Sequence, residues 1–209
     1  CIRDRIKVPS VPPPMPKALA EDTFTLLLNS AKNNISVEWE SVRDVAMLYF
    51  LRDTGGRVGG MINTLLPNMD LRSGEINTLE KGREVKLYIN TPTIDAIKAW
   101  LVFRPQLEPL TDHLFTANKS RQGITRGGVR WMLNRLSIKG GITDRHNPHA
   151  FRHAFARDFL KAGGEITQLA GIMHHSSIWV TTNYYARWND HELHAAHKNN
   201  SPIGDRSSC

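Results

Sequence analysis

Cysteine is nearly absent: the only two, Cys1 and Cys209, are the ends of the chain. No internal pair can staple a core and no Cys-x-x-Cys can hold zinc, which suits a reducing, intracellular setting. No stretch approaches the roughly 18 consecutive apolar residues that cross a bilayer, and no lysine-rich amphipathic segment reads as a membrane-surface helix, so a membrane partner is not expected. The opening "CIRDRIKVPSVPPPMP" has no apolar signal core. A Gly-x-Ser-x-Gly elbow is missing, and no carboxylate pair stands out as an acid–base couple. The run "TGGRVGG" lacks a Gly-Lys-Ser/Thr ending and follows no strand, which excludes P-loop and dinucleotide readings. His149 and His153 are four apart, as in metal-binding helices, but no third ligand completes a set. "HELHAAH" spaces its histidines by three, unlike His-Glu-x-x-His. Neither a metal nor another cofactor is expected.

Positive charge, by contrast, is in excess. Lys plus Arg number 27 against 20 Asp plus Glu, a net +7, which favours a polyanionic partner, with nucleic acid the expectation. A chain of 209 residues, 40% hydrophobic, can bury one core. "VPSVPPPMP" reads as an extended linker because proline blocks helix. The chain starts at Cys1 rather than Met, so a fragment of a longer protein is expected. Residues 1–16 would be linker or tail, 17–202 one domain, and 203–209 a C-terminal tail.

Helical spacing recurs along that domain. It is seen in "LAEDTFTLLLNSAKN" (Phe24, Leu27, Leu28, Ala31) and in "VEWESVRDVAMLYFLRDT" (Trp39, Val42, Val45, Ala46, Tyr49). "TPTIDAIKAWLVF" opens with Pro92, and "NPHAFRHAFARDFLKAGG" opens with Asn147 as cap and Pro148 in the first turn. "ITRGGVRWMLNRLSIK", "EITQLAGIMHH" and "NDHELHAAHKNNSP" also read as helices. Met61–Leu66 is a short apolar segment. Two strands, Ile76–Glu80 and Val85–Asn90, flank a turn "KGRE". The expected class is mostly α (α+β), with one small antiparallel sheet.

His149 and Arg152 share one helix face, and Phe151 and Phe155 share another. Arg can fork onto phosphate oxygens while His donates or accepts a proton; a solvated face is the plain alternative. Arg57 is presented by a turn of small residues, which permits either close backbone approach to a ligand or tight helix crossing. Lys81 lies on the hairpin turn, where it either decorates the surface or reaches a groove.

Taken in order, these pieces resemble the tyrosine recombinase (phage integrase) family. "LYFLRDTGGRVGGMINTLLPNMD" is similar to its first-arginine segment and "INTLEKGREVKLYI" to its second and third strands with a lysine in the turn. "HAFRHAFARDFLKAGG" resembles the His-x-x-Arg-His box, and "IMHHSSIWVTTNYY" the Leu-Gly-His-Ser-Ser box with the nucleophile after it. The resemblance runs from Pro16 to Pro202. It implies the DNA breaking–rejoining fold and site-specific recombination of double-stranded DNA through a 3′-phosphotyrosyl link, without metal or ATP. It assigns Arg57 and Arg152 to the scissile phosphate, Lys81 to the leaving 5′ oxygen, with Lys86 as the weaker alternative, His149 to the tyrosine proton and His175 to a phosphate hydrogen bond. Family members place the nucleophile nine or ten residues after that histidine, which admits Tyr184 or Tyr185. "TNYYARW" resembles endings that favour Tyr185.

The chain departs from the family at two points: Gly60 stands where an acid usually follows the first arginine by three, and His174 where glycine usually precedes the second-box histidine. The resemblance further implies a tetramer on DNA with exchange of C-terminal tails, in the cytoplasm of a prokaryote or phage-infected cell, on its nucleoid. Alternatives are a type IB topoisomerase-like relaxing enzyme and an inactive DNA-binding relative, for which Gly60 speaks. Binding by this chain alone is expected to be weak and salt-sensitive.

Overall fold

The computed structural model describes residues 18–33, 38–117, 120–174 and 197–198, and every structural statement below concerns those residues. Among them are seven α-helices and one three-stranded antiparallel sheet: α1 (Glu21–Lys32), α2 (Glu38–Thr54), α3 (Val58–Ile62), β1 (Met69–Asp70), β2 (Glu75–Glu80), β3 (Arg83–Tyr88), α4 (Thr91–Phe103), α5 (Arg126–Lys139), α6 (Pro148–Lys161) and α7 (Ile166–Ile172). The mostly helical class with a small antiparallel sheet agrees with the sequence.

Local chemistry sets the helix starts. Thr125 accepts a hydrogen bond from the Gly128 amide at the head of α5, and Asn147 does the same for Ala150 at α6, with Pro148 filling the first position where no amide partner exists. Glu165 and Gln168 form a reciprocal capping box on α7. At α4 the cap comes from another helix. Asp53, near the end of α2, accepts from the Asn90 amide at 2.7 Å, from Asn90 Nδ2 and from Thr93 Oγ1. That contact ties the end of α2 to the start of α4.

Helix α2 lies at the centre, against α1, α4 and α6. Its buried residues include Ala46, Met47, Leu48, Phe50 and Leu51, a wider arc than a single stripe. Of the stripe expected from spacing, Ala46 is fully buried, while Trp39, Val42, Val45 and Tyr49 are only partly buried. A buried ion cluster closes the side toward α5: Asp44, 1% exposed, is bonded by Arg43 at 2.9 Å and by Arg135. Burial pushes its carboxyl above the ordinary value, against the pull of both guanidiniums.

Phe151 of α6 is fully buried and meets Phe24 edge-on, ring centres 6.2 Å apart. This anchors the first turns of α6 against α1. The lower half of α6 packs differently. Phe155 and Phe159 cover a small second core of Ala156, Leu169 and Met173, which holds α7. Ala162, just past the end of α6, is exposed.

The sheet runs β1-β2-β3 with β2 in the middle, and β2 pairs β3 from Glu75↔Tyr88 to Glu80↔Arg83. The hairpin loop is therefore two residues, Lys81 and Gly82, rather than the four of "KGRE". Both have positive φ, 51° and 75°, the geometry of a type I′ turn that matches strand twist. Strand β1, two residues long, is too short to show alternation.

Candidate active site

Residues of β2 alternate, with Ile76, Thr78 and Glu80 inward. The inward row is stitched to α3. Thr78 Oγ1 donates to the Gly60 carbonyl at 2.8 Å, and Asn63 Nδ2 donates to the Leu79 carbonyl at 2.9 Å. Glu80 accepts from the Arg57 backbone amide at 2.6 Å and from Arg57 Nη1 at 2.7 Å. The Glu80 side chain is 1% exposed and that of Arg57 27%, so the carboxylate lies inside while the guanidinium reaches the surface. A buried carboxylate needs a partner and hydrogen bonds; Arg57 supplies both. Since Lys81 follows Glu80 directly, the same contacts fix the lysine turn relative to Arg57.

On the other side stands α6. Arg152, 6% exposed, donates through Nη1 to the Gly55 carbonyl at 2.6 Å and through Nη2 to the Met173 carbonyl at 2.7 Å. These bonds fix the plane of its guanidinium. His149, one turn earlier, is exposed. Gly55 (φ +59°) lets the chain pass beneath Phe155, because a Cβ there would lie 2.2 Å from that ring. The glycine run thus serves close packing.

These elements enclose a pocket of about 300 Å³ lined by Arg57, Glu80, Lys81, Arg126, His149 and Arg152, with Gly56, Val58, Gly59 and Pro148. Four cationic side chains face one carboxylate, and that carboxylate is already paired. A basic concavity of this size fits a phosphodiester. Four of the six residues expected from sequence, Arg57, Lys81, His149 and Arg152, line it together. His175 and Tyr185, with the alternative Tyr184, lie outside the described residues, as do His191 and His194. Lys86 is not in the pocket; its ammonium pairs with Glu75 at 2.8 Å on the other face of the sheet. Beside the pocket His153 is held neutral, its pKa lowered to about 4 by burial and then by His149, Arg152 and Arg145. Among the described residues no three His, Cys, Asp or Glu groups cluster as metal ligands.

Two lining residues were missed in the sequence. Arg126 opens α5, and its Nη2 lies 3.4 Å from where a Gly59 Cβ would be, so the missing side chain leaves room for the guanidinium. A basic residue beside a capped helix start was the available signal. Glu80 was read as the end of a strand; its signal is an acid at an inward position of the alternation.

His174, the second departure, has φ +50°, in the left-handed region that glycine favours. Its Nε2 hydrogen-bonds the Lys86 carbonyl at 2.8 Å, joining the end of α7 to β3.

The profile of the phage integrase family matches residues 17–192. This chain belongs to the phage integrase family. Among curated relatives it is 30% identical over 181 residues to tyrosine recombinase XerC of Leptospira interrogans, covering 86% of this chain and 58% of that protein. It is 30% identical over 203 residues to tyrosine recombinase XerD of Yersinia pestis, covering 93% and 65%. The chain thus spans about three-fifths of the relatives it matches. The crystal structure of XerA recombinase superposes with a TM-score of 0.73 at 28% identity, over 90% of this chain and 66% of that one. The Tn1549 transposon integrase, solved with circular intermediate DNA, shares the fold (TM-score 0.74, 20% identity, 88% and 67% covered). No described helix is long and apolar enough to cross a membrane.

Proposed function

We propose that this chain carries the strand-cleaving site of a site-specific DNA recombinase acting on double-stranded DNA. The observation that carries this reading is the convergence of Arg57, Lys81, His149 and Arg152 on one pocket in a member of the phage integrase family. The Tyr185 hydroxyl, with Tyr184 as the alternative, attacks the scissile phosphorus, and the bond to the 5′ oxygen breaks. His149 takes the phenolic proton, and Lys81 protonates the departing oxygen. Charge building on the non-bridging oxygens meets Arg57 and Arg152, whose orientations are set before the substrate arrives. His175 adds a hydrogen bond. Attack by a 5′ hydroxyl of another strand reverses these steps and joins exchanged strands. The phosphotyrosyl link retains the bond energy, so no nucleotide hydrolysis is required.

The same reading takes residues 17–202 as the catalytic domain, 1–16 as linker and 203–209 as tail; the profile match beginning at residue 17 supports the first boundary. It includes a tetramer on DNA with exchanged C-terminal tails. Support comes from a groove of about 650 Å³ in which Tyr88, Phe155, Phe159 and Ile172 form an apolar floor bordered by Asp53, Asn90, Gln168 and His174. It also places the protein in the cytoplasm, on chromosomal or phage DNA, as bacterial XerC and XerD relatives suggest.

The test is a library of nicked duplexes from the host genome, incubated with the full-length protein and screened for denaturant-stable protein–DNA adducts. An adduct lost in Tyr185→Phe and kept in Tyr184→Phe is the expected result. Absence of any adduct would overturn the enzyme reading. Holliday junctions as products, rather than relaxed circles alone, distinguish recombination from type IB relaxation.

A further inference from the structure

We propose that Glu80 is the positioning residue of the Arg57 phosphate clamp, and that the acid usually carried by the helix after the first arginine has been relocated in this chain to strand β2. The inference rests on the recombinase reading for its consequence in catalysis, but the relocation itself is geometric.

One carboxylate holds Arg57 at two points. Oε1 accepts the Arg57 backbone amide at 2.6 Å, and Oε2 accepts Nη1 at 2.7 Å. Main chain and guanidinium are therefore oriented by the same group. The space it uses exists because Gly60 has no side chain. A Cβ at Gly60 would lie 2.9 Å from Glu80 Oε1, closer than real Cβ atoms come, and 3.3 Å from both Glu80 Cγ and Leu87 Cδ1. A Cβ at Gly56 would stand 3.3 Å from the same oxygen. Gly60 lies within α3 and has no positive φ, so only space, not backbone conformation, demands glycine there. An acid at position 60 and an acid at position 80 would compete for one volume and repel one another. The chain carries one of them.

The second function of Glu80 is electrostatic. Arg57 shares its pocket with Lys81, Arg126 and Arg152. Without a fixed anion, like-charge repulsion would turn the Arg57 guanidinium toward water. With it, two contacts orient the group, while its exposed side faces the pocket. Preorganised charge of this kind contributes where negative charge develops.

The relocation predicts sign reversal between two substitutions. In the full-length protein, Glu80→Ala and Glu80→Gln are expected to slow adduct formation on a nicked suicide duplex by roughly 10- to 100-fold, while affinity for that duplex stays equal or rises because a negative charge has been removed. A merely structural loss would lower both. Gly60→Glu alone is expected to be comparably harmful. Combined with Glu80→Ala it becomes favourable, returning adduct formation to within about fivefold of the parent, since two of its three close contacts vanish with Glu80. A double variant no faster than Glu80→Ala, or Glu80→Gln cleaving at the parent rate, would overturn the proposal. A second readout needs no catalysis: arginine side-chain ¹⁵N NMR should show hindered rotation of the Arg57 guanidinium in the parent and the double variant, and free rotation in Glu80→Gln. Equal mobility in all three would overturn the positioning role even if the parent cleaved no DNA, a failure that would fall on the recombinase reading instead.

Discussion

His174 is bonded through Nε2 to the carbonyl of Lys86 at 2.8 Å, while its own backbone occupies the left-handed region at φ +50°. The bond requires the Nε2–H tautomer. It offsets a strain that glycine at this position would not have. His174→Gly should therefore change stability by less than about 1 kcal/mol, because relief of strain and loss of the bond nearly cancel. His174→Val loses the bond and cannot adopt the backbone, and should cost at least about 2 kcal/mol. Urea denaturation of both variants checks the pair; equal losses would refute the balance.

Lys81 stands at the first position of a two-residue type I′ turn, where Asn is preferred. Lys81→Asn is expected to raise stability by about 0.5–1 kcal/mol and to abolish efficient strand cleavage. A thermal melt and an adduct assay should move in opposite directions.

Removing the Arg57 side chain leaves the Glu80 carboxylate buried without a counter-charge, held only by the backbone amide of residue 57. Arg57→Ala should destabilise the fold by about 3–5 kcal/mol. His149→Ala, on an exposed position of the same pocket, should stay within about 0.5 kcal/mol. Similar midpoints for the two in chemical denaturation would contradict the buried pair.

His153 sets a pH dependence. Its folded pKa, about 4, lies below the ordinary 6.5, so the unfolded chain binds the proton first as pH falls. The contribution is full above pH 6.5, declines between 6.5 and 4, and is gone below that. Solvent around the half-buried ring screens part of this, leaving a span on the order of 1–2 kcal/mol. His153→Gln should flatten the stability profile in that window; an unchanged slope would assign it to other groups.

Arg126 should count as one phosphate contact. Arg126→Ala is expected to lower duplex affinity alike for all sequences and to reduce the slope of log affinity against log salt by about one. Lys86→Ala, on the opposite face of the sheet and paired with Glu75, should leave that slope unchanged. Fluorescence anisotropy across a salt series separates them.

Helix starts were legible because their chemistry is local: Asn147 with Pro148, and Pro92, announce α6 and α4 within a few residues. The buried arc of α2 was not. A central helix is covered on several sides, so periodicity marks only part of what it buries, and Arg43 and Asp44 look like surface until Arg135 arrives from α5. Arg57, Lys81, His149 and Arg152 could be named from motif order, but their convergence depends on hydrogen bonds between distant strands and loops. Gly60 read as a defect because a linear motif compares one position at a time. Only the register of β2 reveals that Glu80 occupies the space beside it.

Arg152 ties the Gly55 carbonyl to the Met173 carbonyl through one planar group. Gly55 leads into the loop that presents Arg57, and Met173 immediately precedes the segment bearing His175 and Tyr185. The guanidinium therefore works as a mechanical coupler between two stretches of chain. The position of Met173 and the orientation of the Arg152 guanidinium are not independent degrees of freedom: a displacement that carries Met173 away also releases one end of Arg152.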